Sequence, residues 1–125
     1  PDFIWFKNRG QTDGHLLYDA VRGFDSGWGE ALTTNVPDAQ VDYSQGLSSF
    51  DSDGFSIGTL TDINSNTKGI VSWNWKANGA GSANTDGTIN STVSANTTAG
   101  FSIVKYAGNG TSGATVITST RNGYC

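Results

Sequence analysis

Short runs of apolar or alternating residues recur along the chain, separated by clusters of glycine, asparagine, aspartate and serine. None of them carries a sustained helical period. "DFIWFKNRG" is nearly continuous in apolar residues and ends in charge and glycine, which predicts a strand buried on both faces. In "HLLYDAVRG", Leu16, Leu17, Ala20 and Val21 also fit one helix face, but the run is short and stops at Arg22-Gly23. A strand is the better reading there. "EALTTN" predicts a weaker strand before the turn signal Pro37-Asp38, and "GLSSFDSDGFSIG" two short extended pieces about a tight Asp-Ser-Asp-Gly turn. "KGIVSWNWKANG" predicts another strand, "GAGSANTDG" a loop, and "TINSTVSAN", "AGFSIVKYAGNG" and "GATVITSTR" three more strands. About eight or nine short strands punctuated by turns read as an all-β chain, a sandwich or barrel.

Within "SWNWK", Trp73 and Trp75 alternate with polar residues, so on a strand they share a face with Val71. Ile70, Ser72, Asn74 and Lys76 take the other face. The expectation is that both rings lie in the core with Phe3, Trp5, Phe50 and Phe55, because a chain without methionine needs its aromatics for burial. Trp28, in "DSGWGE", is expected in a loop, either as an exposed stacking residue or with its ring folded back over the edge of the sandwich. The tetrapeptide "GFSI" occurs at Gly54–Ile57 and at Gly100–Ile103. Both copies read as strand starts that follow a small polar turn.

Composition narrows the class. At 125 residues there is room for one domain with one core, so residues 1–125 are read as a single sandwich module. Charged residues are 14% of the chain, too few for a helical bundle, while apolar residues at 35% are too many for disorder. The formal charge is −4 and the seven basic residues are scattered, which argues against nucleic-acid binding. No apolar run approaches the length of a membrane span. A chain that begins with Pro1 and has no methionine reads as a processed product or a segment of something longer. Cys125 is the single cysteine, so an internal disulfide or a cysteine-based metal site is ruled out.

Catalytic chemistry finds little footing. Glycoside hydrolysis needs two positioned carboxyl groups, and the one glutamate, Glu30, stands in the plain context "GWGEAL". Most of the ten aspartates occupy turn sequences, where they accept backbone hydrogen bonds. His15 is the only histidine, with no nucleophile motif beside it. The chain therefore reads as a non-enzyme with no cofactor. For a metal, "DSDG" places Asp51 and Asp53 two residues apart, as calcium loops do, with Asp86 of "NTDG" next. It lacks the third oxygen ligand and distant glutamate of an EF-hand. A turn that caps a hairpin is the simpler reading of that motif. Three N-x-S/T triplets, at Asn90, Asn96 and Asn109, are expected by chance in a chain this rich in Asn, Ser and Thr.

"DFIWFKNRG" with "HLLYDAVRG", then "SSFDSDGFSIG", "VSWNWKANG", "NTDGTINSTVSANTTAGFSIV" and "KYAGNGTSGATV" together resemble a domain in structural proteins of tailed phages, common in marine and cyanobacterial phages. The resemblance covers Pro1 to about Val116, in six blocks in the same order. After Val116 such proteins usually continue with a glycine-rich segment into another copy, whereas here "ITSTRNGYC" follows. The resemblance implies an antiparallel β-sandwich of jelly-roll or concanavalin A-like lectin type, located in a virion as part of a tail fibre or appendage. The resemblance supplies a location and a class, not a mechanism. The expectation set on it is adhesion to a host cell-surface carbohydrate, with Trp28, Asp51, Asp53 and Asp86 as the residues to contact it, the alternative being a purely structural spacer or capsid decoration. The scarcity of lysine and proline along the strands predicts a homo-oligomer through strand edges or loops such as "NTDGTINST", a trimer if the parent is a fibre. No nucleic-acid or membrane partner is expected.

Overall fold

In the computed structural model, which describes residues 1–119, the regular structure is almost wholly β and every strand pairing is antiparallel. The strands are β1 (Phe3–Asn8), β2 (His15–Asp19), β3 (Phe24–Asp25), β4 (Trp28–Thr33), β5 (Val41–Asp42), β6 (Leu47–Phe50), β7 (Phe55–Ile57), β8 (Ile70–Trp75), β9 (Ser82–Asn84), β10 (Ser91–Asn96) and β11 (Phe101–Tyr106). One helical turn, α1 (Thr61–Asn64), precedes β8. A six-stranded sheet runs β3-β4-β2-β1-β8, with β5 also paired to β4. The hairpin β6-β7 and the three-stranded sheet β11-β10-β9 complete a sandwich-like arrangement.

The core lies on one face of the large sheet. Successive side chains of a strand point to opposite faces, and Ile4, Phe6 and Asn8 of β1 alternate as buried residues. Leu16 and Tyr18 of β2 and Ala31 of β4 continue that face. The β6-β7 hairpin and α1 cover it: Leu47 and Ile63 are buried there, with Phe50, Phe55, Ile57 and Leu60 packed around them. Phe6 is the hub, meeting Phe55 at 5.1 Å and Tyr18 at 5.9 Å between ring centroids, both edge-on. Gly29 makes room for the Tyr18 ring, because a Cβ at that position would stand 2.9 Å from it. Burial pushes the Tyr18 phenol well above its ordinary range, so the hydroxyl stays neutral.

Asn8 is the polar side chain that β1 ties down on this face. Asn8 is fully buried, and its amide donates to Asp13 Oδ2 at 2.8 Å and to the Thr61 carbonyl at 3.3 Å. Its own oxygen accepts from the Gly10 N–H at 3.0 Å. The β1–β2 loop and α1 are thereby fastened to one side chain, and loss of that side chain would strand several partners. The hairpin is closed by Gly58, whose N–H donates to the Gly46 carbonyl at 2.8 Å. A Cβ on Gly58 would fall 2.5 Å from the Gln45 carbonyl oxygen, so only glycine fits that approach.

Three expectations need correction. "GAGSANTDG" is not all loop, since Ser82–Asn84 form β9, recruited by Ser91–Val93 of β10. "GATVITSTR" contributes no strand over residues 113–119, and its last two residues lie outside the described residues, as does Cys125. Thr88 and Thr115 instead clip that segment to the loop before β10 through exchanged side chain–backbone bonds of 3.0 and 2.8 Å. The third correction concerns Trp73 and Trp75, which remain 44% and 39% exposed. They stand on the sheet face away from the β6-β7 layer, opposite Trp5 and Phe3 of β1. Phe50 and Phe55 are on the other side, in the core layer. The two copies of "GFSI" both begin strands, β7 and β11.

The consequence for stability is specific. Phe6→Ala removes a fully buried ring and should cost about 3–5 kcal/mol. Trp73→Ala removes a half-exposed ring with one aromatic neighbour and should cost only about 1 kcal/mol. Urea denaturation of the two variants checks the ranking; equal losses would place Trp73 in the core after all.

Candidate functional site

The second face of the large sheet is built by the residues that alternate with the core. On β1 these are Phe3, Trp5 and Lys7; on β2, His15 and Leu17; on β8, Val71, Trp73 and Trp75. Register sets their neighbours. Trp5 lies between Leu17 and Trp73, and Phe3 between Asp19 and Trp75. Antiparallel partners on one face have Cβ atoms about 4.5–5.5 Å apart, so the rings meet without further guidance.

The aromatic contacts form two connected groups. Trp5 and Trp73 are 5.3 Å apart at an interplanar angle of 42°. Trp75 stands edge-on to Phe3 at 5.2 Å and stacks with Phe101 of β11 at 6.1 Å and 20°. Phe101 closes the cluster against Phe3 at 5.6 Å. The three-stranded sheet thus reaches the large sheet through Phe101, backed by bonds from the Asn78 N–H to Ser94 Oγ at 2.8 Å and from the Asn96 amide to the Lys76 carbonyl at 3.1 Å.

Between these rings lies an open groove of about 650 Å³, lined by Phe3, Trp5, Leu17, Trp75 and Phe101, with His15 and Thr34 at its polar side. The Trp5 indole N–H donates to Thr34 Oγ1 at 3.1 Å, which fixes the ring plane. Thr34 is held in turn by its N–H to the His15 carbonyl at 2.8 Å, and the His15 N–H donates to Asn35 Oδ1 at 2.8 Å. The Trp5 indole is therefore held in place by a hydrogen bond, while the Trp75 ring is packed against Phe3 and Phe101. A separate cleft of about 300 Å³ lies along β11, with Asp19, Arg22, Leu32 and Lys105 in its walls. Arg22 is committed there to the Asp19 carboxylate and the Leu17 carbonyl.

The residues expected to bind a ligand are not assembled in this way. Trp28 opens strand β4, paired with Asp25, rather than occupying a loop, and it does not line the groove. Asp51 is at the β6–β7 turn, where its carboxylate accepts from Ser49 Oγ at 2.7 Å and Ser56 Oγ at 2.9 Å. Its N–H donates to the Gly54 carbonyl at 2.9 Å, the geometry of a hairpin cap. The two serines hold the Asp51 carboxyl below the ordinary carboxylate range. Asp53 is exposed in the same turn, and Asp86 is exposed beyond β9, with its N–H donating to Asn84 Oδ1 at 2.9 Å. Among the described residues no three His, Cys, Asp or Glu side chains are grouped to hold a metal ion, and no helix there is long and apolar enough to cross a membrane.

Sequence reasoning did not point to Trp5, Trp75 and Phe101 as lining residues: "FIWF" is apolar on both faces, and the alternation around Trp75 reads as a core face, whereas its polar side, Ser72 and Asn74, is the one that stands beside Phe6 and Ile4. In class, this is an antiparallel β-sandwich-like module with an aromatic groove on its outer sheet face. The chain belongs to a family described as a domain of unknown function (DUF7483), whose profile matches residues 1–122. No curated protein and no solved structure matches it.

Asp51 gives a pH test of the turn. A carboxyl whose folded pKa is depressed stabilises the fold above its unfolded pKa, near 4, and loses that contribution as pH falls through the folded value. Asp51→Asn should therefore lower the melting temperature at pH 7 and converge with the unsubstituted protein as the pH drops below that range. Chelator or added calcium should leave both melting curves unmoved. A calcium-dependent rise that Asp51→Asn abolishes would make the turn a metal site.

Proposed function

We propose that this chain is a virion module of a phage, part of a tail fibre or similar appendage, that adheres to glycans on the host surface. The observation that carries the reading is the outer groove, where half-exposed indole planes stand beside a hydroxyl and an imidazole. The face of an aromatic ring is electron-rich and attracts the weakly positive C–H face of a pyranose. The groove's polar side can meet the sugar hydroxyls, and its size is that of a small-ligand site. Aromatic planes that remain in water at such exposure mark surfaces that meet a partner.

The assignment to a phage particle rests on the six sequence blocks, and the adhesion reading on the groove. The residues that line it supply stacking and hydrogen bonding, so the reading is of binding without chemistry. Two subsites follow from the geometry, one over Trp75 and Phe101 and one over Trp5, which suits an extended oligosaccharide rather than a single sugar.

Titration with host-surface polysaccharides and their oligosaccharides, followed by intrinsic fluorescence, tests it. Trp75→Ala should weaken binding roughly tenfold to a hundredfold, about 1.4–2.8 kcal/mol for losing a central aromatic contact. Asp51→Asn should leave affinity unchanged. Binding that survives Trp75→Ala, or that Asp51→Asn removes, would move the site off the groove.

A further inference from the structure

The strand that carries the two exposed tryptophans is also the last strand of the six-stranded sheet. It pairs in unbroken register with β1 over all six of its residues and has no bulge. Which backbone groups it uses can be read from the ladder ends. The Arg9 N–H donates to the Gly69 carbonyl at 2.8 Å, in register with the β1–β8 pairing. The Ala20 N–H donates to the Asp2 carbonyl at 2.9 Å, in register with β1–β2. Antiparallel partners alternate between bonded and unbonded pairs. Odd residues of β1 therefore bond β8 and even residues bond β2. On β8, Val71, Trp73 and Trp75 turn their backbone groups toward β1, while Ile70, Ser72 and Asn74 turn theirs outward.

That outward edge lacks the usual protections. Between Lys68 and Lys76 the strand contains no charge, no proline and no bulge. The guard it does have is the Asn74 amide, which leans onto Ser72 Oγ at 3.1 Å and onto the Ser72 carbonyl at 3.4 Å. The latter contact is long and leaves the second lone pair of that carbonyl open.

We propose that β8 is a self-association edge, at which two copies of this chain pair antiparallel about a two-fold axis through Trp73. Same-face registry admits this pairing: Trp73 meets its counterpart, Trp75 meets Val71, and Ser72 meets Asn74. The Ser72–Asn74 pairs then exchange the outward N–H and C=O groups. The Trp73 pair falls on an unbonded position, where side chains approach most closely. The edge itself carries no charge to repel its own copy, and beyond it, at each end of the ladder, Lys76 of one copy lies opposite Ile70 of the other, two residues from that copy's Lys68. The result is one continuous sheet with both aromatic grooves on the same face, so a polysaccharide would meet two sites at once. This two-fold edge takes the place of the three-fold packing that a fibre implies, and it does not depend on what the groove binds.

Sedimentation equilibrium of the chain at tens of micromolar should return twice the monomer mass. Ser72→Pro removes an outward N–H and none of the β1 ladder, the one setting in which a strand tolerates proline. It should give monomer with an unchanged circular dichroism spectrum. Trp73→Glu should also give monomer, since like charges would face each other across the axis. An equimolar mixture of Trp73→Glu and Trp73→Lys should recover the dimer, which separates register from loss of fold. A monomeric unsubstituted chain at these concentrations, a mass of three chains, or a dimer that persists in Ser72→Pro and Trp73→Glu would each overturn the proposal.

Discussion

Everything in this molecule depends on the pleat of β1. Its six residues send Ile4, Phe6 and Asn8 to one side and Phe3, Trp5 and Lys7 to the other. Because β1 is paired on both edges, by β2 and β8, neither set can be turned away from its neighbours. A slip of one residue would exchange the two faces completely. Asn8 guards against that slip: it is buried with its hydrogen bonds made to Asp13, Gly10 and Thr61, and Lys7 could not replace it there. The core and the groove are thus two sides of one constraint.

The two faces differ in what covers them. The Phe6 face receives a hairpin and a helical turn, small elements that fill it with Leu47, Phe55 and Ile63. The Trp5 face receives the three-stranded sheet only at one end, where Phe101 meets Phe3 and Trp75. Beyond that contact the aromatic surface remains in water. Burying it would have stabilised the fold, at about 25 cal/mol for each Å² removed, and this exposed band is the surface that the proposed binding role would use.

Much of the fold was legible in the sequence. The all-β class, the strands over "FIWFKN", "HLLYD" and "IVSWNW", and the hairpin about Asp51–Gly54 follow from alternation and turn chemistry. β9 was not legible, because "SAN" has no strand propensity of its own and is held by pairing with β10. The face of Trp73 and Trp75 was read as core, and it is exposed. Periodicity correctly placed Trp73 and Trp75 together, but it says nothing about which side of a sheet another layer will cover. In "FIWF" both sides are apolar, so only the tertiary arrangement, with β8 at the edge and β6-β7 on the far side, decides the matter. The aspartates illustrate the reverse case: Asp51 was legible as a turn residue, and the structure uses its carboxylate to hold two serines.

The central claim is that Trp73 and Trp75 face solvent on the groove side of the sheet while the core forms behind them. Iodide quenching of tryptophan fluorescence in the folded protein, compared with that of the double variant Trp73→Phe/Trp75→Phe, tests it most directly. The account predicts a red-shifted, readily quenched component that the double variant loses while keeping its melting temperature within a few degrees. A blue-shifted emission resistant to iodide, together with a collapse of stability in the double variant, would place these rings in the core and contradict it.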